Sequence, residues 1–219
     1  MTQSDKNKMD SDNRFDRLAA TWDENPVRVK MARTVANKIV ERVSLTQDMK
    51  ALEFGCGTGL VTVLMAPMLG SITAVDSSEN MLAELQKKIG DMGIANIEYH
   101  KLDIGEQAVP GSGYDFIFSN MTFHHIEHGD ALLKKLCGAL ASGGVLALTD
   151  LDCEDGSFHG DMPGVFHMGF KRGDVVSAFE RSGFSNCSVE DVHVIEKPGK
   201  EGKINRYPMF LATGKKPVE

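Results

Sequence analysis

The 219-residue chain has no run of about 18 or more consecutive apolar residues, so no segment reads as a membrane-spanning helix. An excess of positive charge is also missing. With 24 Lys and Arg against 31 Asp and Glu, the net charge is −7, the wrong sign for a protein that must neutralise many phosphates, and nucleic acid is not expected as a partner. Cysteine is scarce and unpaired. Cys56, Cys137, Cys153 and Cys187 contain no Cys-x-x-Cys pair, which argues against a structural zinc site and a disulfide framework and favours free thiols in a reducing cytoplasm. The opening MTQSDKNKMDSDNR lacks the charged stub and apolar stretch of a secretory signal, and residues 1–13 are expected to be a disordered tip. Internal repeats and an interdomain linker are absent too. A composition 42% hydrophobic and 25% charged supports one globular domain over 14–219 with its own core.

What is present is a change of period near residue 50. Before it, Met31, Ala32, Val35, Ala36, Ile39, Val40 and Val43 recur at helical spacing, so 14–48 is expected to form a helical cover over a core spanning 49–219. After it, short apolar runs at 51–54, 72–75, 96–99, 115–119 and 145–149 read as strands, the last two nearly uninterrupted as buried parallel strands should be. The stripes Leu60/Leu64/Met68, Met81/Leu82/Leu85/Ile89 and Leu132/Leu133/Leu136/Leu140 mark crossover helices between them. One more helix is marked by Val175, Val176 and Phe179. Two β-like runs, 184–195 and 206–213, are then joined by a turn-rich segment too short for a crossover, which predicts an antiparallel hairpin. The expected fold is α/β: a Rossmann-like, mostly parallel sheet of seven strands with an antiparallel end and helices on both faces.

LeuGluPheGlyCysGlyThrGlyLeu (52–60) ends a strand and opens a helix, the position where open α/β sheets bind ligands beyond their strand ends. Asp76 follows the second strand, where a carboxylate can accept hydrogen bonds from both hydroxyls of a ribose. A dinucleotide turn needs Gly-x-Gly-x-x-Gly. Here Gly55, Gly57 and Gly59 stand two apart and Leu60 occupies the position of the third fingerprint glycine, which disfavours NAD(P).

Glu53 completes Glu-x-Gly-x-Gly-x-Gly, and with it the chain resembles the class I S-adenosylmethionine-dependent methyltransferases, in their small-molecule branch similar to the ubiquinone and menaquinone biosynthesis enzymes. The resemblance runs over nearly all of 14–214. It implies a cofactor turn of Glu53, Gly55, Cys56, Gly57 and Gly59, with Asp76 on the ribose and Ser77 and Met81 near the adenine. LysLeuAspIle (101–104) implies Asp103 on the adenine amino group and Ile104 against the ring. The strand end at Asn120 is implied beside the methionine part, and PheAspArgLeuAlaAlaThrTrpAsp (15–23) makes Trp22 and Phe15 aromatic covers of the cofactor. AlaLeuAlaSerGlyGlyValLeuAlaLeuThrAsp (139–150) looks like the family's helix, Gly-Gly turn and fifth strand. S-adenosylmethionine would be the methyl donor and S-adenosylhomocysteine the product.

Direct in-line transfer from a sulfonium asks mainly for positioning. A base is needed only if the nucleophile carries a proton. His124 and His125, with His128 nearby, are the catalytic candidates, against the alternative of strand-end histidines satisfied by backbone. The aperiodic stretch 150–170 is expected to select the substrate. Its carboxylates Asp150, Asp152, Glu154, Asp155 and Asp161 would attract a cation or, with His159 and His167, a metal; a solvated acidic loop is favoured and no metal site is expected. Phe158, Phe166 and Met168 are expected to wall an apolar pocket. An Asn-Pro-Pro-Tyr motif is absent, Ser119-Asn120-Met121-Thr122 standing in its place, so small molecules outrank nucleic acids as acceptors. The acceptor atom and the oligomeric state have no signature. An NAD(P)-dependent oxidoreductase and a non-catalytic cofactor-binding partner protein remain the alternatives.

Overall fold

Strands β1 (Lys50–Phe54), β2 (Ser71–Asp76), β3 (Ile97–Lys101), β4 (Tyr114–Asn120), β5 (Leu140–Leu151), β6 (Ser185–Pro198) and β7 (Ile204–Lys215) form a single sheet in the order β3-β2-β1-β4-β5-β7-β6. The computed structural model of the chain describes residues 14–160, 162–199 and 203–218; the expected tip at 1–13 and Asp161 lie outside them. Pairing is parallel from β3 to β5, and β7 runs antiparallel to both β5 and β6. The seven-stranded sheet and its terminal hairpin are therefore as the periodicity predicts.

Alternation along the strands assigns each side chain to a face. Leu52, Phe54, Ile117, Leu146 and Leu148 face one way, onto Leu132, Leu133 and Leu136 of helix α5 (Gly129–Ala139) and Val175 and Phe179 of helix α6 (Arg172–Arg181). Ala51, Phe116, Phe118 and Ala147 face the other, onto helix α2 (Pro26–Arg42) and helix α3 (Thr62–Met65). With helices on both sides, the β4 and β5 runs have no polar face to show. Each fully buried Leu, Ile or Phe contributes roughly 1.5–3 kcal/mol.

Helix α2 begins at Pro26, whose missing N–H costs nothing in a first turn, and Asn25 caps it by accepting from Val27 N at 3.0 Å. Its buried stripe is Ala32, Val35, Ala36 and Ile39, narrower than expected, since Val40 is 40% exposed. A short helix, 14–18 (α1), precedes it. The first crossover differs more. Only four residues are α-helical before a 3-10 turn at Ala66–Met68, because Pro67 interrupts the ladder, and the buried stripe is Val61, Met65 and Leu69, one position on from the predicted one. Helix α4 (Glu79–Met92) buries Met81, Leu82 and Leu85 of the expected stripe, while its fourth member, Ile89, is only partly buried. The predicted helix–turn–strand at 139–150 is instead one irregular strand. Its pairing with β4 jumps from Tyr114↔Leu140 to Phe116↔Val145, a bulge made possible by Gly143 at φ +77° and by Gly144, where a Cβ would stand 2.9 Å from the Tyr114 carbonyl.

The consequence for a site lies at β1. Its neighbours are β2 on one side and β4 on the other, so the chain leaves the carboxyl ends of β1 and β4 in opposite directions and opens a crevice between them.

Candidate cofactor site

That crevice is a cavity of about 210 Å³, many times the ~10–15 Å³ that one water needs. The turn after β1 forms its floor. Gly55, Gly57 and Gly59 all have positive φ, at +63°, +55° and +80°, but for different reasons. A Cβ on Gly55 would lie 2.2 Å from Thr122 Cγ2, so this glycine allows the β4 loop to approach. A Cβ on Gly57 would meet nothing within 4 Å and would project into open space. A Cβ on Gly59 would strike Leu85 Cδ1 at 2.3 Å, and Gly59 does not line the cavity; it serves turn-to-helix packing rather than the site expected of it.

Asp76, at the end of β2, holds the turn in shape: one carboxylate oxygen accepts from Gly57 N at 2.7 Å and the other from Ser78 N at 2.9 Å. Ser78 in turn caps α4 by accepting from Met81 N. Glu53 is 2% exposed and accepts from the Thr62 hydroxyl. Burial raises its carboxyl to about 8, the Thr62 bond working against this and the Asp76 charge adding to it. Burial likewise holds Cys56 as the thiol. Asn120 Oδ1 accepts from Thr149 Oγ1 at 2.8 Å, which leaves its amide donors for the cavity. Met121 follows at φ +56°, an uncommon conformation for a side-chain-bearing residue, and turns the chain between Asn120 and Thr122.

The cavity lining thus brings together Glu53, Gly55, Cys56, Gly57, Asp76, Ser77, Met81, Asp103, Ile104, Asn120 and Trp22, every cofactor position read from the sequence except Gly59. Phe15 also lines it and meets Trp22 edge-on at 5.8 Å between ring centroids. The histidines separate. His125 lines the cavity and packs edge-on against Phe15 at 5.4 Å. His124 does not: it is 1% exposed, and its Nδ1 and backbone N lie 2.8 and 3.1 Å from the buried Asp150 carboxylate. Its neighbour in sequence carries the site because the 3-10 turn at Phe123–His125 sends successive side chains in different directions. His128 precedes α5 and makes no cap bond.

The 150–170 stretch is likewise sorted. Phe166 lines the cavity, whereas Phe158 packs on Tyr207 at 5.0 Å and Met168 is 40% exposed. Asp150 and Asp152 are structural, Asp152 forming a two-point ion pair with Arg172 at 2.8 and 2.7 Å. His167 lies 2.9 Å from the Ile126 carbonyl, and among the described residues no group of three or more His, Cys, Asp or Glu is arranged to hold a metal ion.

Sequence reading missed the latch that closes the amino-terminal segment over the turn. Asp23 accepts from Thr58 Oγ1 at 2.6 Å and pairs with Lys88 at 2.5 Å, while Asp16 accepts from Ser78 Oγ at 2.6 Å. Both acids sit within 15–23, where only the aromatic positions carried a signal. Arg28 and Thr122 line the cavity without having been read as site residues, whereas Phe166 does so as expected.

Comparison with known proteins agrees with the geometry. Residues 51–144 match the family model Methyltransf_25, described as a methyltransferase domain. The malonyl-[acyl-carrier protein] O-methyltransferase of Bacillus cereus is 35% identical over 136 residues, covering 61% of this chain and 49% of the relative. The chain spans about half the length of the first curated relatives it matches. Among solved structures, the DhpI–SAH complex superposes with a TM-score of 0.73 at 21% identity over 96% of both chains, and the [4+2]-cyclase SpnF with 0.67 at 16% identity over 84% of this chain and 80% of the other. At such identities the likeness concerns the fold alone. Residues 51–144 thus match a methyltransferase domain, and the chain has the Rossmann-like fold of its solved neighbours.

Proposed function

We propose that residues 14–218 act as one unit that transfers a methyl group from S-adenosylmethionine to a small molecule, in a cytoplasmic setting where the four free cysteines stay reduced. The observation that carries this reading is the union of the Gly57 floor, open to a ligand, with the Asp76 and Asp103 carboxylates and the apolar Met81 and Ile104 in one cavity. Those groups fit an adenosyl ligand: carboxylates accept from ribose hydroxyls and the adenine amine, and apolar side chains meet the ring faces. The formal charge of −7 supports a small-molecule acceptor over nucleic acid.

Bound S-adenosylmethionine would supply a methyl group already activated on a positively charged sulfur. The protein's work is then orientation and exclusion of water, worth on the order of 7–11 kcal/mol when partners are well aligned. Asp76 and the glycine turn fix one end of the cavity, and Asn120 presents its amide donors from the β4 end. Phe15, Trp22 and Phe166 cover the other side. His125 Nδ1 donates to the Gly164 carbonyl, so its Nε2 is a lone-pair acceptor. Burial first, then the neighbouring His124, lowers its pKa to about 4, which keeps the ring neutral at pH 7. We assign His125 to receiving a hydrogen bond from the acceptor, and His124 to holding the loop.

Formation of S-adenosylhomocysteine in the presence of an acceptor tests the reading; cofactor binding without turnover on any acceptor would favour a non-catalytic binding protein. Replacing Asp76 by alanine is expected to weaken S-adenosylhomocysteine binding by about 1–3 kcal/mol, since ribose hydroxyls and Gly57 N lose their acceptor. Unchanged affinity in calorimetry would remove Asp76 from the site. Glu53 gives a pH signature. Protonated in the free protein, it loses its proton when a cationic ligand arrives beside it, so S-adenosylmethionine binding should release a proton at pH 7 and tighten as pH rises from about 6 toward 8. Calorimetry in buffers of different ionisation enthalpy reads this release. Glu53→Gln should abolish it, and no release from the unaltered chain would contradict the assignment.

A further inference from the structure

Arg14, Arg28 and Lys197 come from α1, α2 and β6, distant in sequence, yet all three reach the aromatic rim of the cavity: Arg14 lies on the lining residue Phe15, and Lys197 lies on Phe158, joined through His159 to the lining residue His125. Arg28 lines it, with its guanidinium carbon 3.7 Å from the Trp22 ring centroid and Nη1 donating to the Trp22 carbonyl at 3.2 Å. Lys197 Nζ lies 3.5 Å from the Phe158 ring centroid and donates to the Phe158 carbonyl at 3.0 Å. The Arg14 guanidinium carbon stands 5.6 Å from the Phe15 ring centroid, and Nη1 touches the Met162 sulfur. Each cation is thus held by an aromatic face, a carbonyl or a sulfur. Among the described residues none of the three has a carboxylate within salt-bridge distance. The nearby acids are engaged otherwise: Asp23 pairs with Lys88, and Glu154 accepts from Phe158 N at 3.0 Å.

We propose that this mouth is an anion-binding subsite and that the methyl acceptor is a small organic acid, its charged head against Arg14 and Lys197 and its apolar body against Phe15 and Phe166. The proposal rests on the methyltransferase reading above and adds the acceptor's chemical class. Half-buried like charges with no carboxylate at salt-bridge distance among the described residues cost free energy, which an incoming anion returns. Neighbouring groups register the same imbalance. Burial is the largest cause lowering all three cations' pKa values, and Arg14 further lowers both Arg28 and Lys197, with Asp23 and Glu154 opposing these shifts in part. His159, beside Lys197, is lowered to about 3 by burial, by His124 and His125, and by Lys197 itself. The acidic stretch 150–155 points the opposite way from the acceptor chemistry its charges would suggest, because Asp150 and Asp152 are spent on His124 and Arg172.

S-adenosylmethionine also carries a carboxylate, and one cation suffices for it. Arg28, which lines the cavity itself, is the candidate for that contact, leaving Arg14 and Lys197 for the acceptor. The two sources separate experimentally. The S-adenosylhomocysteine-saturated protein would be titrated with ω-phenyl carboxylates from phenylacetate to 6-phenylhexanoate and with the matching neutral amides. Calorimetry and the fluorescence of Trp22, the single tryptophan, would report binding. The expected result is that at least one carboxylate binds ten-fold or more tighter than its amide. Arg14→Met and Lys197→Met should each weaken that binding five-fold or more, with S-adenosylhomocysteine affinity kept within two-fold. Equal binding of acid and amide, no binding of any carboxylate, or a parallel loss of S-adenosylhomocysteine affinity in both variants would overturn the proposal. Failure of S-adenosylhomocysteine to bind the unaltered chain would instead overturn the methyltransferase reading beneath it.

Discussion

Gly57→Asn is expected to fold with a stability within about 1 kcal/mol of the unaltered chain and to lose S-adenosylhomocysteine affinity by a factor of 100 or more. Asparagine tolerates the left-handed conformation that Gly57 adopts at φ +55°, so the backbone has little reason to move. The protein offers no clash either, since nothing lies within 4 Å of the added Cβ. What the side chain enters is the space above the turn, beside Asp76, whose carboxylate the Gly57 N–H already holds at 2.7 Å. The same substitution at Gly55 would drive into Thr122 and at Gly59 into Leu85, confounding binding with folding. Urea unfolding and calorimetry on the one variant separate the two effects. Retained affinity would mean that no ligand approaches the turn.

Asp150→Ala should produce the reverse pattern, a loss of stability of about 3–5 kcal/mol with cofactor affinity kept in the folded fraction. The carboxylate is 0% exposed and receives three bonds, from His124 N, His124 Nδ1 and Leu151 N at 3.1, 2.8 and 2.8 Å. Alanine leaves these donors buried and unpaired, each costing roughly 1–3 kcal/mol before relaxation. Burial alone would raise the Asp150 carboxyl, but the facing His124 and the three hydrogen bonds outweigh it, and its pKa lies below the ordinary carboxylate value. Because the folded pKa is the lower one, the contribution is fully present above the unfolded value near pH ~3.9 and fades as pH falls through the folded one. At pH 7 the whole effect should be visible by urea denaturation. A loss under about 1 kcal/mol would show that the His124–Asp150 pair does not hold the β4 and β5 loops together.

The two residues show how far sequence reaches here. Glycine spacing, Glu53 and Asp76 sit close together in the chain around one strand–turn–helix, and local chemistry is enough to read them. Gly59 matches the motif by spacing, but its neighbour Leu85 comes from α4, and only the fold reveals that its glycine serves packing. His124 and His125 are indistinguishable as letters, and a single 3-10 turn buries one on Asp150 and turns the other to the cavity. The β4 and β5 strands were legible because parallel strands buried on both faces must be apolar. The short α3 was not, since Pro67 ends it whatever the stripe, and the β5 bulge depends on Gly144 packing under the Tyr114 carbonyl. Arg14, Arg28 and Lys197 are ordinary surface residues in the sequence. Their convergence is a property of the fold, which packs α2 against the edge strand β6.

The central claim is that the β1 turn and its two flanking acids hold an adenosyl-methionine ligand rather than a dinucleotide. Calorimetric titration of the purified chain with S-adenosylhomocysteine and, separately, with NAD tests it most directly. One S-adenosylhomocysteine should bind per chain, more tightly than NAD, and Gly57→Asn should remove that binding. Tighter binding of NAD, or S-adenosylhomocysteine binding untouched by the Gly57 change, would contradict the account.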